Sequence, residues 1–214
     1  MQFYKEVFYM EKLTDRQRQA IATKIRITQV ATELFKLNGF ESVKIQDICQ
    51  AAEISTGAFY HHFKSKMEII NTAYEQVDIL VMDRFEARDF SSNLDKLLFL
   101  LCEGAKMMEE LGWVFVGEIY KNLLSIEGKY STKPDRHIAL KVKSIVEDSL
   151  KNGELDNSIS PTNLTMIIMR ISRGAIFDWC LYQGSYDLKS RMEFDLNLIL
   201  SNFKPKYPDK KVRR

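Results

Sequence analysis

Apolar residues recur at helical rather than alternating spacing along almost the whole 214-residue chain, and no run reads as a strand. This excludes sandwiches and barrels and predicts an all-α fold. Only 9 Gly and 4 Pro punctuate the pattern, so each break carries information. Asn38-Gly39, Phe90-Ser91-Ser92-Asn93, Gly112, the polar cluster 127–134, Asn152-Gly153 and Ser160-Pro161 divide the chain into about nine helices. The length suits a small head on a larger body, each able to bury a core.

The first clear helix carries Ile27, Val30, Ala31, Leu34 and Phe35 on one apolar face, at the spacing of an amphipathic helix. Asn38-Gly39 stops it, because both residues tolerate the left-handed backbone of a helix end. A second helix is expected over about 43–52, with Ser42 as its cap and Ile45, Ile48 and Cys49 turned inward. A third opens at Ser55, also a capping type, and ends near 62–63. Ser65-x-x-Glu68 reads as a capping box for a fourth helix ending near 87. Further helices are expected over about 94–111, 114–124, 135–151, 162–182 and 188–203, the last with Met192, Leu196, Ile199, Leu200 and Phe203 on one side.

Charge and cysteine usage narrow the class. Residues 1–65 hold nine Lys/Arg against seven Asp/Glu, residues 66–203 hold sixteen against twenty-one, and residues 204–214 hold six against one. Basic ends on an acidic body suit nucleic-acid contact near the N-terminus, while the tail reads as a solvated end. Cys49, Cys102 and Cys180 lie far apart without metal-ligand spacing, which points to a reduced, cytoplasmic protein with no metal and no cofactor. No secretory leader is apparent, and no stretch approaches the roughly 20 apolar residues that span a bilayer. There is no Walker A loop, GxGxxG, HExxH or GxSxG, so no enzyme is expected.

Residues 42–63 have the plan of a helix-turn-helix: a supporting helix, a turn of about four residues, and a second helix whose N-terminal end is stripped of bulk. Thr56-Gly57-Ala58 is small enough to enter a major groove, where a Thr or Ala methyl packs on a thymine methyl and the Thr hydroxyl bonds a base edge. Tyr60, His61 and Lys64 can reach phosphate oxygens. Phe59 and Phe63, four apart, can anchor the helix from inside. The bland alternative for Tyr60 is packing against the first helix, and His62 reads as a packing histidine. The pair His61-His62 is not a metal site, since neighbouring helix positions diverge by about 100°.

The run Gly39-Phe40, Ile45-Gln46-Asp47-Ile48-Cys49, Ala51-Ala52, Ile54-Ser55-Thr56-Gly57-Ala58-Phe59-Tyr60-His61-His62-Phe63 and Lys64-Ser65-Lys66 resembles the TetR family signature. With Val30-Ala31 and Leu34-Phe35 upstream, the resemblance covers about residues 24–70. It implies that Thr56, Gly57 and Ala58 approach bases. It implies phosphate contacts for Tyr60, His61 and, with the N–H groups opening the fourth helix, Lys66. Lys44, Gln46 and Lys64 complete the expected DNA-binding set. Three departures stand out. Val43-Lys44 replaces a Thr followed by Ser or Thr, which substitutes a lysine charge for a hydroxyl. Glu53 stands where the turn often has Gly, a strain of about 1 kcal/mol if φ is positive there. Met67 replaces a common Glu.

The resemblance also implies a helical body that forms a pocket and dimerises through its last two long helices. The expected division is an N-terminal extension at 1–14, a helix-turn-helix domain at 15–64, a ligand-binding and dimerisation domain at 65–204 and a basic tail at 205–214. The helix near 163–181 is apolar nearly all round, which suits contact with its own domain on one face and a partner on another, and Gly174-Ala175 would permit close approach. Candidate ligand contacts are Met107, Met108, Trp113, Phe115, Tyr120, Phe177 and Trp179, with Arg170 and Arg173 as polar groups; plain core is the competing reading. Arg170 or Arg173 could equally pair with Asp178, Glu118 or a partner subunit. The expected partners are pseudo-palindromic double-stranded operator DNA, a second copy of the chain and an unidentified apolar or aromatic effector that releases a repressor, with no membrane. The alternative is a DNA-binding protein whose body makes only protein contacts.

Overall fold

A computed structural model describes residues 14–123, 133 and 135–205. Among the described residues there are nine α-helices and no strand: α1 (Asp15–Asn38), α2 (Ile45–Ala51), α3 (Thr56–His62), α4 (Lys66–Glu86), α5 (Asn93–Leu111), α6 (Trp113–Leu123), α7 (His137–Lys151), α8 (Pro161–Leu181) and α9 (Leu188–Ser201). The all-α class is as expected. Residues 1–13 of the N-terminal extension, most of the 127–134 cluster and residues 206–214 of the basic tail lie outside the described residues.

The chain divides into two compact units. Residues 14–79 with 114–123 form a head, and residues 80–113, 133 and 135–205 form a body. The head therefore owns most of α4 and nearly all of α6 in addition to α1–α3.

In the head, α1 starts earlier than its apolar stripe, because Thr14 and Gln17 make a capping box: the Gln17 N–H donates to Thr14 Oγ1 (3.3 Å) and the Thr14 N–H to Gln17 Oε1 (2.9 Å). Gly39 ends it at φ 78°, a backbone region that costs a residue with a Cβ about 1–2 kcal/mol. Ile27, Ala31 and Phe35 from α1 meet Ile48, Phe59, Phe63, Ile69, Val116 and Ile119, all at most 1% exposed. The Phe35 ring lies 4.9 Å from Phe40 and 6.2 Å from Phe115. At about 1.5–3 kcal/mol for each large apolar side chain buried, this cluster is what closes α1 and the two short helices α2 and α3 into a unit.

In the body, Leu97, Leu100, Val142, Val146, Leu164, Ile168, Leu188 and Leu196 are completely buried. Polar side chains tie its helix ends. The Glu154 carboxylate accepts from Asn93 Nδ2 (2.7 Å) and the Leu94 N–H (3.1 Å) at the start of α5, and Glu109 Oε1 accepts from the Leu188 N–H (2.6 Å) at the start of α9. An anion at a helix N-terminus satisfies free N–H groups and complements the helix dipole. The α8–α9 turn is tight: Gln183 and Gly184 both have positive φ (53° and 70°), and a Cβ on Gly184 would sit 2.9 Å from Trp113 Cδ1. Trp179 Nε1 donates to the Tyr186 carbonyl at 2.9 Å.

Two expected caps are corrected. Ser42 does not cap α2; Lys44 is the N-cap residue, its N–H donating to Asp47 Oδ2 at 2.7 Å. The Glu68 carboxylate accepts from the Lys64 N–H at 2.7 Å, one residue further out than the Ser65-x-x-Glu68 box predicts. In both places the carboxylate of the helix's third residue reaches back to whichever main-chain donor the preceding turn presents.

Candidate nucleic-acid interface

Helices α2 and α3 are joined by the turn 52–55. Glu53 occupies it at φ 51°, and the Ile54 N–H donates to the Cys49 carbonyl at 3.0 Å. The left-handed position is occupied by a residue with a Cβ, so the strain anticipated for Glu53 is present. Ser55 then caps α3, its hydroxyl accepting from the Ala58 N–H at 3.1 Å.

Helix α3 is held from one side only. Phe59 and Phe63, 0% and 1% exposed, stack into the core with ring centroids 6.0 Å apart. On the other side Thr56, Gly57, Tyr60 and His61 are exposed and Ala58 half-buried. Tyr60 is 55% exposed, its ring set edge-on to Phe59 at 5.5 Å, so the phenol oxygen end is available to solvent. His62 is half-buried, and burial, then the charges of His61 and Lys24, hold its imidazole below the ordinary histidine value. Gly57 is informative. A Cβ there would meet only Ser55 Oγ, at an ordinary 3.8 Å, so nothing inside the head requires glycine.

Lys44, Gln46 and Lys64 are exposed. Lys66 is different: it is half-buried, its ammonium donating to the carbonyls of Phe40 and Val43 at 2.7 Å each and lying 4.5 Å from the Phe40 ring centroid. Sequence reasoning passed over Lys24, whose ammonium lies 5.5 Å from the Phe63 ring centroid; its place on α1, one turn before Thr28, gave no signal of that.

The sequence of residues 27–73 matches the family model described as bacterial regulatory proteins, tetR family. The chain is 25% identical over 173 residues to the HTH-type transcriptional regulator UidR of Escherichia coli (strain K12), a match covering 78% of this chain and 86% of that protein. The chain belongs to the TetR family. Solved TetR-type structures share its fold. FadR of Thermus thermophilus, a TetR family transcriptional repressor in complex with lauroyl-CoA, aligns with a TM-score of 0.63 at 19% identity, over 89% of this chain and 100% of that one. FadR of Bacillus subtilis in complex with stearoyl-CoA aligns at 0.62 and 16% identity, over 84% and 98%.

None of the nine residues expected to bind a ligand lines either of the two cavities described below. Met107, Met108 and Trp179 are buried, Trp113, Arg170 and Phe177 exposed and Arg173 half-buried, while Phe115 and Tyr120 belong to the head. Two cavities are present elsewhere. One, of about 520 Å3, is lined by Arg88, Phe90, Phe99, Cys102, Lys189 and Glu193 among others, with the Arg88 guanidinium 4.8 Å from the Phe99 ring centroid. The other, of about 590 Å3, lies between the ends of α8 and α9 and includes Asp178, Tyr182, Tyr186 and Phe194. The Tyr186 hydroxyl donates to Asp178 Oδ2 at 2.8 Å. Burial pushes the Cys102 thiol up to about 12 and the Cys180 thiol to about 11, so neither is a thiolate nucleophile near neutral pH. Among the described residues no helix is long and apolar enough to cross a membrane.

Proposed function

We propose that this TetR-family chain is a homodimeric repressor that inserts α3 into the major groove of a pseudo-palindromic operator and is released when the body binds an apolar or aromatic effector. The observation that carries the DNA-binding part is Gly57: an exposed helical glycine with no internal reason to be glycine, flanked by Thr56 and Ala58 and backed by fully buried phenylalanines. Its smallness faces outward, where a base-pair edge would come. Thr56, Gly57 and Ala58 approach bases; Lys44, Gln46, Tyr60, His61 and Lys64 make the surrounding polar and phosphate contacts.

Dimer formation is supported by an exposed, largely apolar stripe on each of the last two helices. On α8 Met166, Arg170, Gly174, Phe177 and Leu181 follow one another at spacings of three and four and are all exposed, and on α9 Phe194 and Leu198 are 58% and 60% exposed. The opposite face of α8 packs its own body. A Cβ on Gly174 would meet nothing within 4 Å, which leaves its surface open to the close approach of a second copy. Two-fold symmetry would set the recognition helices about 34 Å apart, one turn of DNA.

The effector part is supported by the acyl-CoA complexes formed by two proteins of this fold. A second reading, in which the body makes only protein contacts, is favoured by the tight packing of Met107, Met108 and Trp179, each at most 7% exposed. The deciding experiment is anisotropy of labelled DNA from upstream of the gene against a scrambled duplex, at several salt concentrations. Tight, salt-dependent preference for the upstream fragment is expected. Equal weak binding to both, followed by failure of a random-sequence selection to enrich any site, would overturn the reading. Release by an added acyl-CoA or aromatic acid would separate an effector-responsive body from one that is not.

A further inference from the structure

We propose that Lys66 is a positioning residue that sets the start of α2, and that it does not pair with a DNA phosphate. An ammonium has three N–H donors and no acceptor. Two are committed at 2.7 Å, to the carbonyls of Phe40 and Val43, and the charge also lies 4.5 Å from the centroid of the Phe40 ring. Phe40 and Val43 are themselves buried, 6% and 3% exposed, so the two carbonyls the ammonium bridges belong to residues anchored in the core of the head. Turning the ammonium outward would remove a charge-assisted donor from both, and bonds to a charged donor are about twice as strong as neutral ones.

The location gives the clamp its use. Val43 immediately precedes Lys44, the N-cap of α2, and α2 is the helix that supports α3. Lys66 is the first residue of α4, and two positions on, Glu68 accepts from the Lys64 N–H at the end of the α3–α4 turn. The first turn of α4 thus fastens the entry to α2 with one side chain and the exit from α3 with another, and holds the two helices of the motif in register. Lys64, exposed, is free to supply the phosphate charge at this edge.

The inference rests on the DNA-binding reading, and its test separates the two. Operator affinity of the full chain is measured from 50 to 300 mM salt for the parent, Lys66→Met and Lys64→Met. A lost phosphate contact lowers the slope of log K against log salt by about 0.9, hence by about 1.8 for a symmetric dimer. Lys64→Met is expected to show that drop. Lys66→Met is expected to bind about tenfold or more weakly with the parental slope, and to exchange the α2 amide hydrogens faster in the absence of DNA. A slope lowered by about 1.8 together with unchanged α2 exchange would overturn the proposal. If the methionine variant fails to fold, Lys66→Gln, uncharged but still an N–H donor, is judged by the same slope. A parent that prefers no DNA sequence counts against the DNA-binding reading, and the exchange measurement then decides the clamp alone.

Discussion

The exposed face of α3 and the exposed stripes of α8 and α9 are composed in opposite ways. Around α3 the exposed residues are small or carry hydrogen-bonding tips: Thr56, Gly57, Tyr60, His61 and Lys64. On α8 and α9 they are Met166, Phe177, Leu181, Phe194 and Leu198, with Arg170 among them. A surface that must meet a hydrated polyanion keeps its apolar bulk behind it, as Phe59 and Phe63 do here, because its affinity comes from phosphates and base edges. A surface that must meet another copy of itself puts the bulk in front, because area removed from water supplies the stabilisation. Phenylalanine lies behind the one surface and at the front of the other, as the two partners proposed for them require.

The contrast is sharpest at Gly57. Replacing it with leucine adds a better helix former at an exposed position where a Cβ meets nothing closer than 3.8 Å, so the melting temperature is expected to hold or to rise. Operator affinity is expected to collapse to the non-specific level, about 10³-fold or more. A variant that binds as well as the parent would break the assignment of this face to DNA.

On the other face, Leu181→Glu combined with Phe194→Glu puts charge into a contact where central apolar residues are worth about 2 kcal/mol each, which weakens self-association about 10³-fold. Sedimentation is expected to show monomer at concentrations where the parent is dimeric, with the folded helix content retained. A persistent dimer would move the interface elsewhere.

Glu53 offers a smaller test, on the polar side only. Glu53→Gly relieves the left-handed strain at φ 51°, partly offset by glycine's greater freedom in the unfolded chain, for a net gain of about 0.5–1 kcal/mol. It also removes a carboxylate from beside the DNA, so tighter operator binding with a steeper salt dependence is expected; weaker binding would mean that the carboxylate itself makes a contact.

The smallest effect is that of pH. The folded value of His62 is lowered from 6.5, mainly by burial, so the unfolded chain binds the proton more readily and stability falls as pH drops through and below about 6.5. Thermal melts of the parent between pH 7.5 and 5 should show that loss, and His62→Gln should reduce it. An identical pH profile in the variant would assign the loss to other groups.

The head was legible in the sequence because its constraints are local. Asn38-Gly39 stops α1 whatever follows, Ser55 caps α3, and Glu53 marks a position whose backbone demand is set by the turn itself. The misjudged caps, Ser42 and Ser65, failed by a residue or two because a carboxylate side chain can choose among neighbouring N–H groups. Lys66 escaped for a different reason: its partners are 26 and 23 positions away, and a lysine at a helix start looks the same whether it points outward or inward. The body was less legible. A helix as uniformly apolar as α8 does not declare which face is core, so Trp179 and Phe177, two residues apart, could not be told to be buried and exposed until the fold placed them.

The corner where Gly184 receives Trp113 has a consequence for spectroscopy. The chain contains 2 tryptophans, and both sit there: the Trp113 indole against Gly184 and the Trp179 indole hydrogen-bonded to the Tyr186 carbonyl. All of the protein's indole emission therefore originates from one junction, where α5 hands over to α6 and α8 turns into α9. A red shift or quenching on adding a molecule reads out that junction, and a silent spectrum leaves events at the DNA-facing helices to be followed by a label on the duplex.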